Sequence, residues 1–252
     1  ALLGLAVLGL PGVASAGPCS GAGPCPTVKL EAKAVPIPGF PHTGNILGAG
    51  AAVETHITIK GTEAFGGVPS PLTKVNFFLP AGTKLTTTGF VTCKPETLEN
   101  VGPEGCPKKS QASPVGSAGV AQKIGPETVK EKATVQAFFA PGGGLQFYAN
   151  AASPISAQLI AATGHFTGAS APYGKEFVSE VKLIKTLPET EFVSTESINL
   201  KVGAAYKKGK KTVYYGTLPT KCPKGGFPVK AELTFHTGET VTAKYKAPCP
   251  KH

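Results

Sequence analysis

The chain contains no arginine, aspartate, methionine or tryptophan: all 25 basic residues are Lys and all 15 acidic ones are Glu. Each absence removes chemistry. Without Arg there is no planar fork for bidentate recognition of phosphates or base edges. Without Asp, an EF-hand loop loses its ligands, kinase-type phosphoryl transfer loses the side chain that holds magnesium, and a Ser-His triad would need Glu as its orienting acid. Charged residues make up only 16% of the chain, and beyond the N-terminus no apolar run is long enough to cross a bilayer.

What is abundant is turn-forming residues, with Gly 32 and Pro 24 in 252 residues that are 41% hydrophobic. Such a chain is too apolar for disorder and too turn-rich for a helical bundle, and its length admits one large domain or two small ones. Val53, Thr55, Ile57 and Ile59 alternate with Glu54, His56, Thr58 and Lys60, the pattern of a half-buried strand. Similar runs follow at 74–79, 128–139, 145–150, 156–166, 176–187, 191–202, 212–218, 229–236 and 239–246. About ten strands between Pro/Gly turns predict an all-β fold, an antiparallel β-sandwich over 27–252, built as one sandwich or as two packed ones divided near 170. The exception lies between Cys93 and Cys106. There Pro95, Glu96 and the i, i+3 pair Leu98/Val101 predict one short helix in a disulfide loop, lying across one end of the sandwich.

Residues 1–16 form an apolar run broken by Pro11 and closed by Ala14-Ser15-Ala16, the small-x-small pattern before a signal-peptidase cut. They read as a signal-peptide remnant, with the mature chain starting at Gly17. Residues 17–26, rich in Gly and Pro, predict a flexible arm without regular structure. Six cysteines in a chain with an export signal favour disulfides, and of fifteen possible pairings the local loops suggest Cys19–Cys25, Cys93–Cys106 and Cys222–Cys249. With no C-x-x-C and no His at zinc-finger spacing, neither metal nor cofactor is expected.

Several strings imitate catalytic motifs. Ser179…Lys182, Ser197-Ile198-Asn199 and His236-Thr237-Gly238 follow the order of the penicillin-interacting serine enzymes. That chemistry needs Ser and Lys on one face of a helix, whereas the alternation here puts Ser179 and Lys182 on opposite faces of a strand. The histidines, His42, His56, His165, His236 and His252, are too dispersed to form a local site. Pro141-Gly142-Gly143-Gly144 lacks the Lys-Ser/Thr ending of a phosphate loop and reads as a turn.

Charge is the feature that points to a partner. From Lys201 to Lys251 eleven Lys face only Glu232 and Glu239, so this segment carries nine of the ten excess positive charges. Lys207-Lys208-Gly209-Lys210-Lys211 reads as an exposed hairpin tip. The predicted function is a secreted or cell-wall-associated, non-enzymatic protein. It would bind anionic cell-envelope polymers through Lys207, Lys208, Lys210 and Lys211, with Tyr214 and Tyr215 as sugar-stacking platforms. The plainer alternative is that these Lys residues only solvate a β surface. Nucleic acid is disfavoured by the exported address, although Tyr206 also flanks the cluster. Two further readings stay open. One is an extracellular hydrolase pairing Glu54 or Glu180 with His56 or His165. The other is a carrier of a small apolar ligand, which depends on whether Phe and Val fill the sandwich interior or leave it open.

Four stretches carry a resemblance: Val75-Asn76-Phe77-Phe78-Leu79-Pro80-Ala81-Gly82-Thr83-Lys84-Leu85, the loop from Cys93 to Cys106-Pro107-Lys108, Phe138-Phe139-Ala140-Pro141-Gly142-Gly143-Gly144-Leu145, and Tyr206-Lys207-Lys208…Cys222-Pro223-Lys224-Gly225-Gly226-Phe227-Pro228-Val229-Lys230, whose part from Cys222 to Val229 is the most specific. Over most of its length the chain resembles a group of secreted proteins of high-GC Gram-positive bacteria to which no activity is assigned. The resemblance implies an exported, disulfide-bearing β protein and transfers no catalytic residue.

Overall fold

The computed structural model describes residues 15–21, 25–40, 46–63, 66–152, 157–160, 163–186 and 188–250. In chain order the strands are β1 (Ser15–Ser20), β2 (Thr27–Val35), β3 (Ala52–Lys60), β4 (Leu72–Pro80) and β5 (Lys84–Leu85), followed by the helix α1 (Pro95–Val101). Next come β6 (Gly116–Ile124), β7 (Glu127–Phe139), β8 (Leu145–Ala151), β9 (Ala157–Ile160), β10 (His165–Gly168) and β11 (Tyr173–Glu180). The last six are β12 (Ser194–Val202), β13 (Ala205–Lys208), β14 (Lys211–Tyr214), β15 (Gly216–Thr217), β16 (Phe227–Phe235) and β17 (Thr240–Ala247).

Two antiparallel sheets face each other, one ordered β1-β17-β16-β4-β11-β10 and the other β2-β3-β12-β6-β7-β8-β9. The all-β sandwich with one short α-helix is as the alternation predicts. A boundary near 170 is not observed, because each sheet draws strands from both sides of it: β4 pairs with β11 and β16, and β12 pairs with β3 and β6. The chain therefore forms one interleaved sandwich.

The sequence pattern explains why these faces meet. β16 alternates strictly, with Phe227, Val229, Ala231, Leu233 and Phe235 buried, and β2 turns Val28, Leu30 and Ala32 inward. Together with Val241 and Ala243 of β17 and Ile57 and Ile59 of β3, they close one half of the core. The other half packs Val135, Ala137 and Phe139 of β7 and Leu200 of β12 against Phe177 of β11. Period-two alternation places a whole set of apolar side chains on one face, so burial fixes the register of each strand.

Two expectations are corrected. The 17–26 arm is not wholly irregular: residues 17–20 belong to β1, which pairs with β17. The register steps from Ala16↔Ala243 to Cys19↔Val241, so Gly17 and Pro18 fall in a bulge, where a proline's missing N–H breaks no ladder bond. The expected cut after Ala16 falls inside this strand, and residues 1–14 of the apolar run lie outside the described residues.

The second correction concerns α1, which covers the outer face of β7 and β8 rather than an end of the sandwich. Leu98 is fully buried against Phe138, Cys93 and Cys106, and the Gln146 side-chain amide donates to the Cys93 carbonyl at 2.7 Å. Val101, expected on the same apolar side, is 61% exposed. Phe138 and Phe139 point to opposite faces of β7, and both are buried because this disulfide loop roofs the outer one.

All three disulfides have the expected local pairing: Cys19–Cys25, Cys93–Cys106 and Cys222–Cys249. No helix among the described residues is long and apolar enough to cross a membrane.

Candidate functional site: an apolar cavity between the sheets

Facing sheets pack about 10 Å apart and need large side chains from both sides to fill the gap. The seven-stranded sheet supplies too few at its middle. Ala118 of β6, Ala133 of β7 and Ala151 of β8 cluster as a row across three adjacent strands, and Ala149 also lines the gap. The opposite wall offers Val75 and Phe77 of β4 and Phe177 of β11. Between them lies a cavity of about 290 Å³, bordered mainly by Ala, Val, Leu, Ile and Phe.

Polar residues border it too, among them Thr55, Asn150, Thr195 and Thr217. Ser179 of β11 lines the cavity and is buried, and Lys182, two residues beyond the end of β11, also borders it but is exposed, its ammonium pairing with Glu99 at 3.3 Å. Tyr215 lines it from the link between β14 and β15. Its ring packs on Phe139 at 4.8 Å, Phe90 at 5.7 Å and Phe166 at 6.4 Å between centroids. Burial pushes the Tyr215 phenol well above the ordinary tyrosine range, so at neutral pH it is an uncharged donor.

Tyr215 is only 3% exposed, which corrects its reading as a surface sugar platform. Successive strand residues face opposite ways, and Tyr215 takes the inward side. Its neighbour Tyr214 is half-buried with its ring tight against Gly50, where even a Cβ would collide with it. The lysines stand where the sequence places them. Lys208 pairs with Lys211 across a two-residue turn, Gly209-Lys210, with Gly209 at φ 60°, the conformation that lets the hairpin twist with its strands. Lys207, Lys208, Lys210 and Lys211 are all exposed. Lys207 donates to the Thr212 hydroxyl at 2.7 Å. None of the four joins an ion pair among the described residues.

The residues named for a hydrolase fall into two Glu/His pairs on different sheets, Glu54 with His56 on β3 and Glu180 with His165 on the paired strands β11 and β10. Glu54 sits on the outer face of β3, paired with Lys33 at 2.8 Å and Lys201 at 3.3 Å. The hydrogen bond from Lys33, then that from Lys201, holds its carboxyl below the usual range. His56, on the same outer face, bonds Asn199 and Thr58. Glu180 and His165 are exposed on β11 and β10 of the other sheet, and none of these four residues lines the inter-sheet cavity. His236 meets Phe192 edge-on at 5.1 Å beside a second, surface cavity of about 360 Å³ that carries Lys123, Lys185, Glu189 and Glu191. His42 and His252 lie outside the described residues. Among the described residues no three His, Cys or Glu side chains gather as a metal site.

Fold and cavity together define a class: a disulfide-braced, two-sheet antiparallel β-sandwich that is hollow between its sheets. In comparisons with known proteins, no family matches the chain, and neither a curated protein nor a solved structure gives a match.

Proposed function

We propose that this protein is an exported, non-enzymatic carrier that holds a small apolar ligand between its two sheets. The observation that carries the reading is the cavity of about 290 Å³ with an apolar lining. A cavity of about 150 Å³ takes up a benzene-sized guest, so this one suits an apolar molecule about twice that size, at the lower end of small-molecule pockets. The exported address is supported by the small-x-small pattern before Gly17, by three disulfides and by the resemblance to secreted proteins.

The test is direct binding of isopropylnaphthalene to the disulfide-intact protein, read by ligand fluorescence against a chain without tryptophan. Saturable binding is expected, and its loss in Ala118→Leu, which projects a larger side chain into the cavity. Filling a true void should also stabilise the ligand-free protein, by about 0.5–2 kcal/mol, whereas overpacking a filled core would destabilise it by about 1–3 kcal/mol. Absence of binding to the unmodified protein would overturn the reading.

A second reading rests on the β13–β14 hairpin, whose four exposed Lys side chains have no acidic partner among the described residues. Such a tip favours salt-sensitive attachment to anionic envelope polymers. Cosedimentation with insoluble cell walls should fall steeply with salt and disappear when Lys207, Lys208, Lys210 and Lys211 are replaced by Gln. Unchanged retention of that variant would refute attachment through this hairpin.

A further inference from the structure

We propose that the surface cavity beside His236 binds a zwitterion, a free amino acid with an apolar side chain. The inference is independent of both readings above. This cavity shares no lining residue with the one between the sheets, and it lies at the end of the sandwich opposite the β13–β14 hairpin. β12 begins beside it at Ser194 and runs away to Val202, from which the chain enters that hairpin. Its volume of about 360 Å³ is that of a small-molecule pocket.

Its walls are connecting segments that other parts of the fold tie down. The link between β11 and β12 is held by Gln122 of β6, which is fully buried. The Gln122 amide donates to the Thr190 hydroxyl at 2.9 Å and to the Glu191 carbonyl at 2.8 Å, and its oxygen accepts from the Thr186 hydroxyl at 2.7 Å. The turn between β16 and β17 is fastened to the segment before β4: the His236 amide donates to the Pro71 carbonyl at 2.8 Å, and the Thr237 amide to the Ser70 hydroxyl at 3.3 Å. Lys123 enters from β6, its side chain passing Gly66. A site held in this way is formed before its ligand arrives, so binding does not have to order the walls.

The lining carries charge of both signs. Lys123 and Lys185 stand there with Glu189 and Glu191, and none of the four joins an ion pair among the described residues. Lys185 makes only weaker contacts, its ammonium 4.9 Å from the centre of the Phe192 ring and 3.5 Å from the Pro188 carbonyl. Charges that could cancel in pairs are thus held unpaired around one concavity, and their formal sum is zero. A simple anion entering here gains the lysines but meets the glutamates, and a simple cation meets the reverse. A zwitterion can turn its carboxylate to the lysines and its ammonium to the glutamates, with charge-assisted hydrogen bonds at both ends. Val68, Pro69, Pro71 and Phe192 give the wall an apolar side, which suits an apolar side chain on the guest.

The experiment is isothermal titration calorimetry of the disulfide-intact protein with L-leucine and two analogues of the same shape that keep one charge each. Isocaproate lacks the ammonium and isoamylamine lacks the carboxylate. L-leucine should bind saturably, and each analogue should bind about ten-fold more weakly, the loss of one charge-assisted hydrogen bond. Joint replacement of Lys123→Gln and Lys185→Gln should reduce leucine to the level of isoamylamine. Glu189→Gln with Glu191→Gln should reduce it to that of isocaproate. No binding of L-leucine to the unmodified protein would overturn the proposal. So would leucine binding no tighter than either analogue, or leucine binding unaltered in both double variants. Should a double variant fail to fold, Lys185→Gln and Glu191→Gln, each at an exposed residue, make the same comparison singly.

Discussion

The six tyrosines of this chain occupy contrasting environments, and Tyr215 is the most consequential. Burial among Phe90, Phe139 and Phe166 raises its phenol above the ordinary range. The folded state therefore holds the proton more tightly than the unfolded chain. Stability from this group is complete below the unfolded value of about 10 and is lost as pH rises above it. In an alkaline titration followed by tyrosinate absorbance, Tyr215 should ionise only as the protein unfolds, and Tyr215→Phe should remove that late step. Tyr173, raised mainly by burial as well, should lag behind the ordinary range. Simultaneous ionisation of all six with the fold intact would contradict the burial of Tyr215. Glu54 is the opposite case. Its bonds to Lys33 and Lys201 lie at the surface, so Glu54→Gln should change stability by no more than about 1 kcal/mol in a denaturant melt.

At the scale of elements, the disulfide loop holding α1 is a small cap with its own core. Its Leu98 is fully buried over Phe138, and Cys93 is bound both covalently to Cys106 and through its carbonyl to Gln146. Leu98→Ala should cost about 2–5 kcal/mol in chemical denaturation, the range for emptying a buried Leu site. Loss of less than about 1 kcal/mol would mean the loop merely rests on β7. Much of this level is legible in advance. The alternation in β3 and β16 reads directly off the sequence, and the cysteine spacing gives three correct pairings. β6 is harder to see because Gly116, Gly119 and its small alanines carry little β signal. β2, with Val28, Leu30 and Ala32 inward, alternates as plainly but is not among the predicted strands. The run at 156–166 divides into β9 and β10, which join different sheets.

For the whole molecule, interleaving governs behaviour. Because β4 is flanked by β11 and β16, and β12 by β3 and β6, neither half of the chain owns a complete sheet. The protein should unfold in one cooperative calorimetric transition, and fragments cut near 170 should not fold alone. Two independent transitions would contradict the single sandwich. The closing of long loops between such distant strands also places folding in the slow, millisecond-to-second class. Reduction of all three disulfides should lower the transition markedly, since each closed loop contributes about 2–4 kcal/mol.

The sequence by itself determines the fold class, the local disulfides, the exposed lysine tip and the inward or outward side of most strand residues. These follow from alternation, turn chemistry and short loop closure, all readable from neighbours in the chain. The tertiary structure alone decides which strands become neighbours, and so where a cavity opens. Ala118, Ala133 and Ala151 are unremarkable small residues until β6, β7 and β8 set them side by side. Thr86 and Tyr215, distant in the chain, hydrogen-bond backbone to backbone only because β5 and β15 pair. Hollowness depends on the sum of side-chain volumes across two facing sheets, and that sum is fixed by long-range pairing rather than by any local stretch of sequence.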